Sequence, residues 1–77
     1  MDVKTKLMRY ALRTGSPAKM KAFVLSAGLP EDECTVVLMH DIEQKDLLYV
    51  ADAIGVCERT AKALHRSALL KLIDTIE

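Results

Sequence analysis

Aromatic residues are nearly missing from this 77-residue sequence: there is no tryptophan, and Tyr10, Phe23 and Tyr49 are the full aromatic set. Half of the residues are nevertheless hydrophobic, at 51%, and a core built from Leu, Ile, Val, Ala and Met favours packed helices. A chain of this length has surface enough to build one core and no second one. The expectation is therefore all-α: a compact five-helix domain over residues 1–77.

Long apolar runs are also lacking. Uncharged stretches such as Ala22 to Pro30 fall well below the roughly 20 apolar residues that span a bilayer. The charged pattern after Met1 differs from a signal peptide, so a cytoplasmic location and no membrane partner are expected. Cys34 and Cys57 without an export signal read as reduced thiols rather than a disulfide. There is no glycine-rich phosphate loop, and two histidines among scattered acids form no nucleophile and base pattern. Neither catalysis nor a cofactor is expected. Metal binding is not expected either: Cys34 and His40 point to different sides of one helix, and Cys57 and His65 stand about 12 Å apart along another.

Net charge is absent as well, with 11 basic and 11 acidic residues, which on its own argues against a nucleic-acid partner. The distribution is uneven. Residues 1–22 carry Lys4, Lys6, Arg9, Arg13, Lys19 and Lys21 against Asp2, whereas residues 23–54 carry Glu31, Asp32, Glu33, Asp41, Glu43, Asp46 and Asp52 against Lys45. After Gly55 the cations are Arg59, Lys62, Arg66 and Lys71. Such a chain is a dipole, expected to turn its acidic side away from a polyanion.

Asp2 reads as the N-cap of an amphipathic first helix with Val3, Leu7, Tyr10 and Ala11 on its apolar face. Gly15-Ser16-Pro17 stops it and starts a second helix that runs from Pro17 to about Ala27, ended by Gly28. Pro30 with Glu31, Asp32 and Glu33 opens a third helix whose apolar set is Cys34, Val37, Leu38 and Ile42, although Val36 to Met39 also reads as a strand. Leu47, Leu48, Val50, Ala51 and Ile54 give a short fourth helix. The fifth and longest runs from Glu58 to about Thr75, with its stripe through Ala61, Leu64, Ala68 and Leu72. Leu69, Leu70, Ile73 and Ile76 exceed one helix face, which points to packing on the N-terminal helix or to a homodimer.

The fourth and fifth helices have the pattern of a helix-turn-helix. Two helices that cross close to a tight turn need a small residue on the first and a glycine in the turn, met by Ala51 and Gly55. Val50, Ile54, Val56, Ala61 and Leu64 supply the apolar positions between them. Glu58, Arg59 and Lys62 would stand at the exposed start of a recognition helix, the end that enters the major groove of double-stranded DNA. Arg59 and Lys62 suit guanine and Glu58 suits cytosine N4, while each also reads as a solvated surface charge.

On these residues the chain resembles region four of bacterial sigma factors over about residues 29–73. Leu29-Pro30-Glu31 with Glu33, Val37 and Leu38 is similar to the start of that family's supporting helices, and Asp46 to Gly55 to the first helix of its helix-turn-helix. Ala61-Lys62-Ala63-Leu64 and Ala68-Leu69-Leu70-Lys71-Leu72 match the recognition helix and its extension. The resemblance makes residues 1–28 an N-terminal helical extension. It implies a transcription regulator of bacterial or phage type, with base contacts from Glu58, Arg59, Lys62 and Ala63 and phosphate contacts from Thr60 and Arg66. Glu58 stands where the family usually has a basic residue and Ala63 where it has a hydrogen-bonding one, so the family's DNA sequence preference does not transfer. The alternative is a sigma-like module that binds RNA polymerase or another regulator through the acidic middle segment.

Overall fold

Four breaks divide the computed structural model, which describes residues 3–76, into five α-helices: α1 (Val3–Thr14), α2 (Pro17–Ser26), α3 (Glu31–Val37), α4 (Leu47–Ile54) and α5 (Glu58–Ile76). A wider π turn, Leu38–Ile42, prolongs α3. The described residues contain no strand, so Val36 to Met39 is helical throughout. The Asp2 cap lies outside the described residues. None of the described helices is long and apolar enough to cross a membrane.

The breaks follow from local chemistry. Pro17 and Pro30 preset the backbone at helix starts, where an amide donor is not needed. Ser16 holds the N-cap position of α2 in extended conformation, yet its hydroxyl makes no capping bond. Asp46 caps α4 by accepting from the Leu48 N–H at 3.1 Å. Gly55 ends α4 in the left-handed region at φ 75°, and its amide bonds back to Ala51 and Asp52.

Packing centres on α5. Met8 and Leu12 of α1, Val24 of α2 and Val37 of α3 form one buried cluster with Ala68, Leu69, Leu72 and Ile73 of α5. The N-terminal helices are therefore part of the core rather than an appendage to it. Leu69 and Ile73 are used up in this packing, which leaves only Leu70 and Ile76 of the surplus apolar set exposed.

The expected face of α1 is the wrong one. Val3, Leu7 and Tyr10 are 71%, 63% and 60% exposed, and Ala11 is exposed too, while Thr5, Met8 and Leu12 face inward. Arg9 and Arg13 explain the rotation. Both reach toward Asp41 on the π turn from the border of the buried face, and a helix held at that angle turns Leu7 and Tyr10 out. Leu7, Met8, Ala11, Ile73 and Ile76, with Lys4 at the edge, then line an open apolar groove of about 230 Å³.

Candidate nucleic-acid interface

The residues read as the seam between α4 and α5 differ in burial. Val50, Ala51 and Ala61 are buried, Ile54, Val56 and Leu64 are half-buried, and Gly55 lies exposed in the turn. Small side chains at Ala51 and Ala61 let the helices approach closely. The three-residue turn ends at Cys57, whose carbonyl accepts the Ala61 N–H at 3.0 Å and so opens α5.

Beyond the turn α5 is sharply two-sided. Ala61, His65, Ala68 and Leu69 face inward, whereas Glu58, Arg59, Thr60, Lys62, Ala63 and Arg66 are all exposed. Arg59, Lys62, Ala63 and Arg66 recur at helical spacing and share one outward stripe. Lys62 lies 3.7 Å from Glu58, one turn earlier. An exposed pair of this kind is worth about 0.3–0.5 kcal/mol, so Lys62 exchanges this partner for another anion at little cost.

Cys57 is exposed beside this stripe. Its pKa is lowered below the usual thiol range, first by a hydrogen bond with the Thr60 hydroxyl 3.3 Å away and then by the Thr60 backbone N–H. Burial opposes this only in third place, and the Arg59 N–H adds a smaller lowering effect. Donors at a helix start favour a thiolate.

The acidic middle segment is only partly a solvated surface. Glu33 is buried and accepts from Lys71 Nζ at 2.9 Å. Asp41 is completely buried. Its Oδ1 accepts from Arg13 Nε at 3.4 Å and lies 3.9 Å from Arg9 Nε, while its Oδ2 accepts from His65 Nε2 at 2.6 Å. Glu31, Asp32, Glu43, Asp46 and Asp52 remain exposed.

His40 completes the cluster. Its ring meets that of His65 edge to face at 5.0 Å, and its Nδ1–H donates to the Lys45 carbonyl at 2.8 Å. That bond fixes the protonated nitrogen, since a carbonyl only accepts. Donor atoms of His40, Asp41 and His65 lie within 4.8 Å of one another, a grouping that the pairs Cys34 with His40 and Cys57 with His65 do not reveal. The surroundings suit a metal cation poorly. The Asp41 oxygens accept from Arg13 and His65 with Arg9 3.9 Å away, and the open side is lined by Arg9, Lys62 and Arg66.

No family model matches the chain, and no curated protein or solved structure does either.

Proposed function

We propose that this domain is a sequence-specific DNA-binding transcription regulator of the sigma region four type, which places the start of α5 in the major groove. The observation that carries this is the left-handed break at Gly55 followed by a helix whose first three turns expose Arg59, Thr60, Lys62, Ala63 and Arg66 while Ala61 and His65 anchor it. Arg59 and Lys62 supply selectivity at base edges, and Thr60 and Arg66 bond backbone phosphates. Glu58 sets the pairing preference at one end of the site. The setting is the bacterial or phage-infected cytoplasm. A single module of this size binds weakly, and a homodimer formed along the exposed Leu7, Tyr10 and Ile76 surface would double the contacts.

Salt dependence of duplex binding tests this directly. Counterion release by Arg59, Lys62 and Arg66, the three exposed cations of the stripe, gives a slope of about −2.7 in log affinity against log salt, or a roughly fortyfold loss between about 50 and 200 mM. Lys62→Ala lowers both affinity and slope. Failure of a mixed-sequence duplex to bind the full chain at low salt, measured by fluorescence anisotropy, overturns the proposal.

A second reading is favoured by Leu48 and Tyr49, which lie exposed at 57% and 56% on α4 between the acids Asp46 and Asp52. An exposed aliphatic and an aromatic side chain, the latter with Lys45 Nζ 5.7 Å from its ring centre, fit a protein partner such as RNA polymerase. Polymerase binding that survives Lys62→Ala but is lost in Tyr49→Ala identifies this mode.

A further inference from the structure

The seam between α1 and α5 contains a second feature that the major-groove stripe leaves unused. Arg9, His40, Leu47, Lys62, His65 and Arg66 line an open pocket of about 350 Å³. Every polar residue in that lining is basic. Beneath it lies Asp41, and beside it Glu58 pairs with Lys62. Arg9, Arg13, Lys62 and Arg66 against Asp41 and Glu58 leave two positive charges in excess, without counting either imidazole.

Arg9 is the informative member. Among the described residues its Nε is buried without a hydrogen-bond partner: the Asp41 oxygen it approaches is 3.9 Å away, and that oxygen accepts from Arg13 at 3.4 Å. A buried donor without a partner is costly, and with the Nε turned to Asp41 it is the remainder of the Arg9 side chain, 32% exposed, that lines the pocket. Guanidinium groups present planar donor forks suited to phosphate, and an ammonium adds a point charge. Arg9 from α1 and Lys62 and Arg66 from α5 offer donors that converge on one volume, while the N–H groups of His40 and His65 are engaged by the Lys45 carbonyl and by Asp41.

We propose that this pocket binds a phosphate group, held by Arg9 and Arg66, with Lys62 as a point charge at the rim that it shares with the groove-facing stripe. Its assignment to a phosphate of the DNA backbone, next to the groove that α5 enters, rests on the DNA-binding reading above. Phosphate recognition by the pocket does not. On this account α1 is a functional part of the interface, since it brings Arg9 to a site that α4 and α5 cannot complete.

Titration of the full chain with inorganic phosphate at constant ionic strength, followed by two-dimensional 1H–15N NMR, tests the pocket. The expected result is a saturable millimolar response at Arg9, Lys62 and Arg66, weakened about fivefold or more in Arg66→Gln and in Arg9→Gln and unchanged in Lys19→Gln on α2. Arg66 is exposed and has no partner among the described residues to lose, so its variant stays informative if Arg9→Gln unfolds. Absence of a saturable response, a response equal to that of chloride, or a response retained in Arg66→Gln overturns the proposal. So does tight Zn²⁺ binding through His40 and His65 without any phosphate response.

Duplex binding separates the two sources of phosphate. Loss of about one unit of salt slope in Arg9→Gln supports the backbone assignment. Phosphate binding without duplex binding keeps the pocket as a site for a free phosphate and overturns the DNA reading. Duplex binding with no phosphate response and an unchanged slope in Arg9→Gln overturns the pocket and leaves the DNA reading standing.

Discussion

Asp41 and Cys57 show how differently one side chain acts inside this molecule and on its surface. Asp41 is buried and joins α1 to α5 through Arg9, Arg13 and His65. Breaking a buried ion pair from one side typically costs 3–5 kcal/mol. The arginine partners keep 32% and 40% of their side-chain surface in water, which places Asp41→Ala near the lower end, at about 3 kcal/mol. A domain of this size has only about 4–12 kcal/mol in total, so urea unfolding of the variant should show a large drop in midpoint. A midpoint within experimental error of the parent's would mean that the cluster adds no net stability. Cys57 bears on reactivity instead. Its thiol, lowered by Thr60, should reach half-maximal alkylation by iodoacetamide at a lower pH than a cysteine in an unstructured peptide. The thiolate is the nucleophile, so the lowered pKa raises the rate below the usual thiol range and makes no difference well above it. Thr60→Ala should move the profile back upward, and a profile that stays put would remove the hydrogen bond as its cause.

Helix boundaries were legible in the chain because the residues that punctuate it act locally. Gly28 and Gly55 take φ of 74° and 75°, and Pro17, Pro30 and Asp46 start helices without help from distant residues. Gly55 gives the cleanest test of this, since a methyl group there would meet nothing within 4 Å. The cost of Gly55→Ala is then backbone strain alone, about 1–2 kcal/mol, read as a lower melting temperature with the α5 stripe otherwise intact. A neutral result would mean that the turn rearranges freely. What was not legible is which face each helix turns inward. The apolar set Val3, Leu7, Tyr10 and Ala11 is a good helical stripe, but Met8 and Leu12 form a second one, and the choice is made by Asp41 from 28 residues beyond Arg13. The His40, Asp41 and His65 grouping was hidden for the same reason. Spacing along one helix reveals pairs on that helix, and this cluster is assembled from two elements, one of them a π turn whose five-residue geometry shifts the register.

Zero net charge and a nucleic-acid partner are compatible because the charges are sorted in space. Arg9, Lys62 and Arg66 gather at one pocket, while the start of α3, with exposed Glu31 and Asp32, is tied by Glu33 to Lys71 further along α5. Nine residues separate Lys62 from Lys71, about 13.5 Å of helix at a 1.5 Å rise, which exceeds the Debye length of about 10 Å at 0.1 M salt. Removing an acid there adds a positive charge to the protein but scarcely changes the field at the pocket. Glu31→Gln is therefore expected to change duplex affinity by less than about twofold at 0.1 M salt, while Arg66→Gln, an equal change in net charge of opposite sign, weakens it about fivefold. Anisotropy titrations of both variants at two salt concentrations provide the comparison. Equal and opposite changes in the pair would show that the duplex responds to total charge, and the local arrangement at α5 would then have no part in binding.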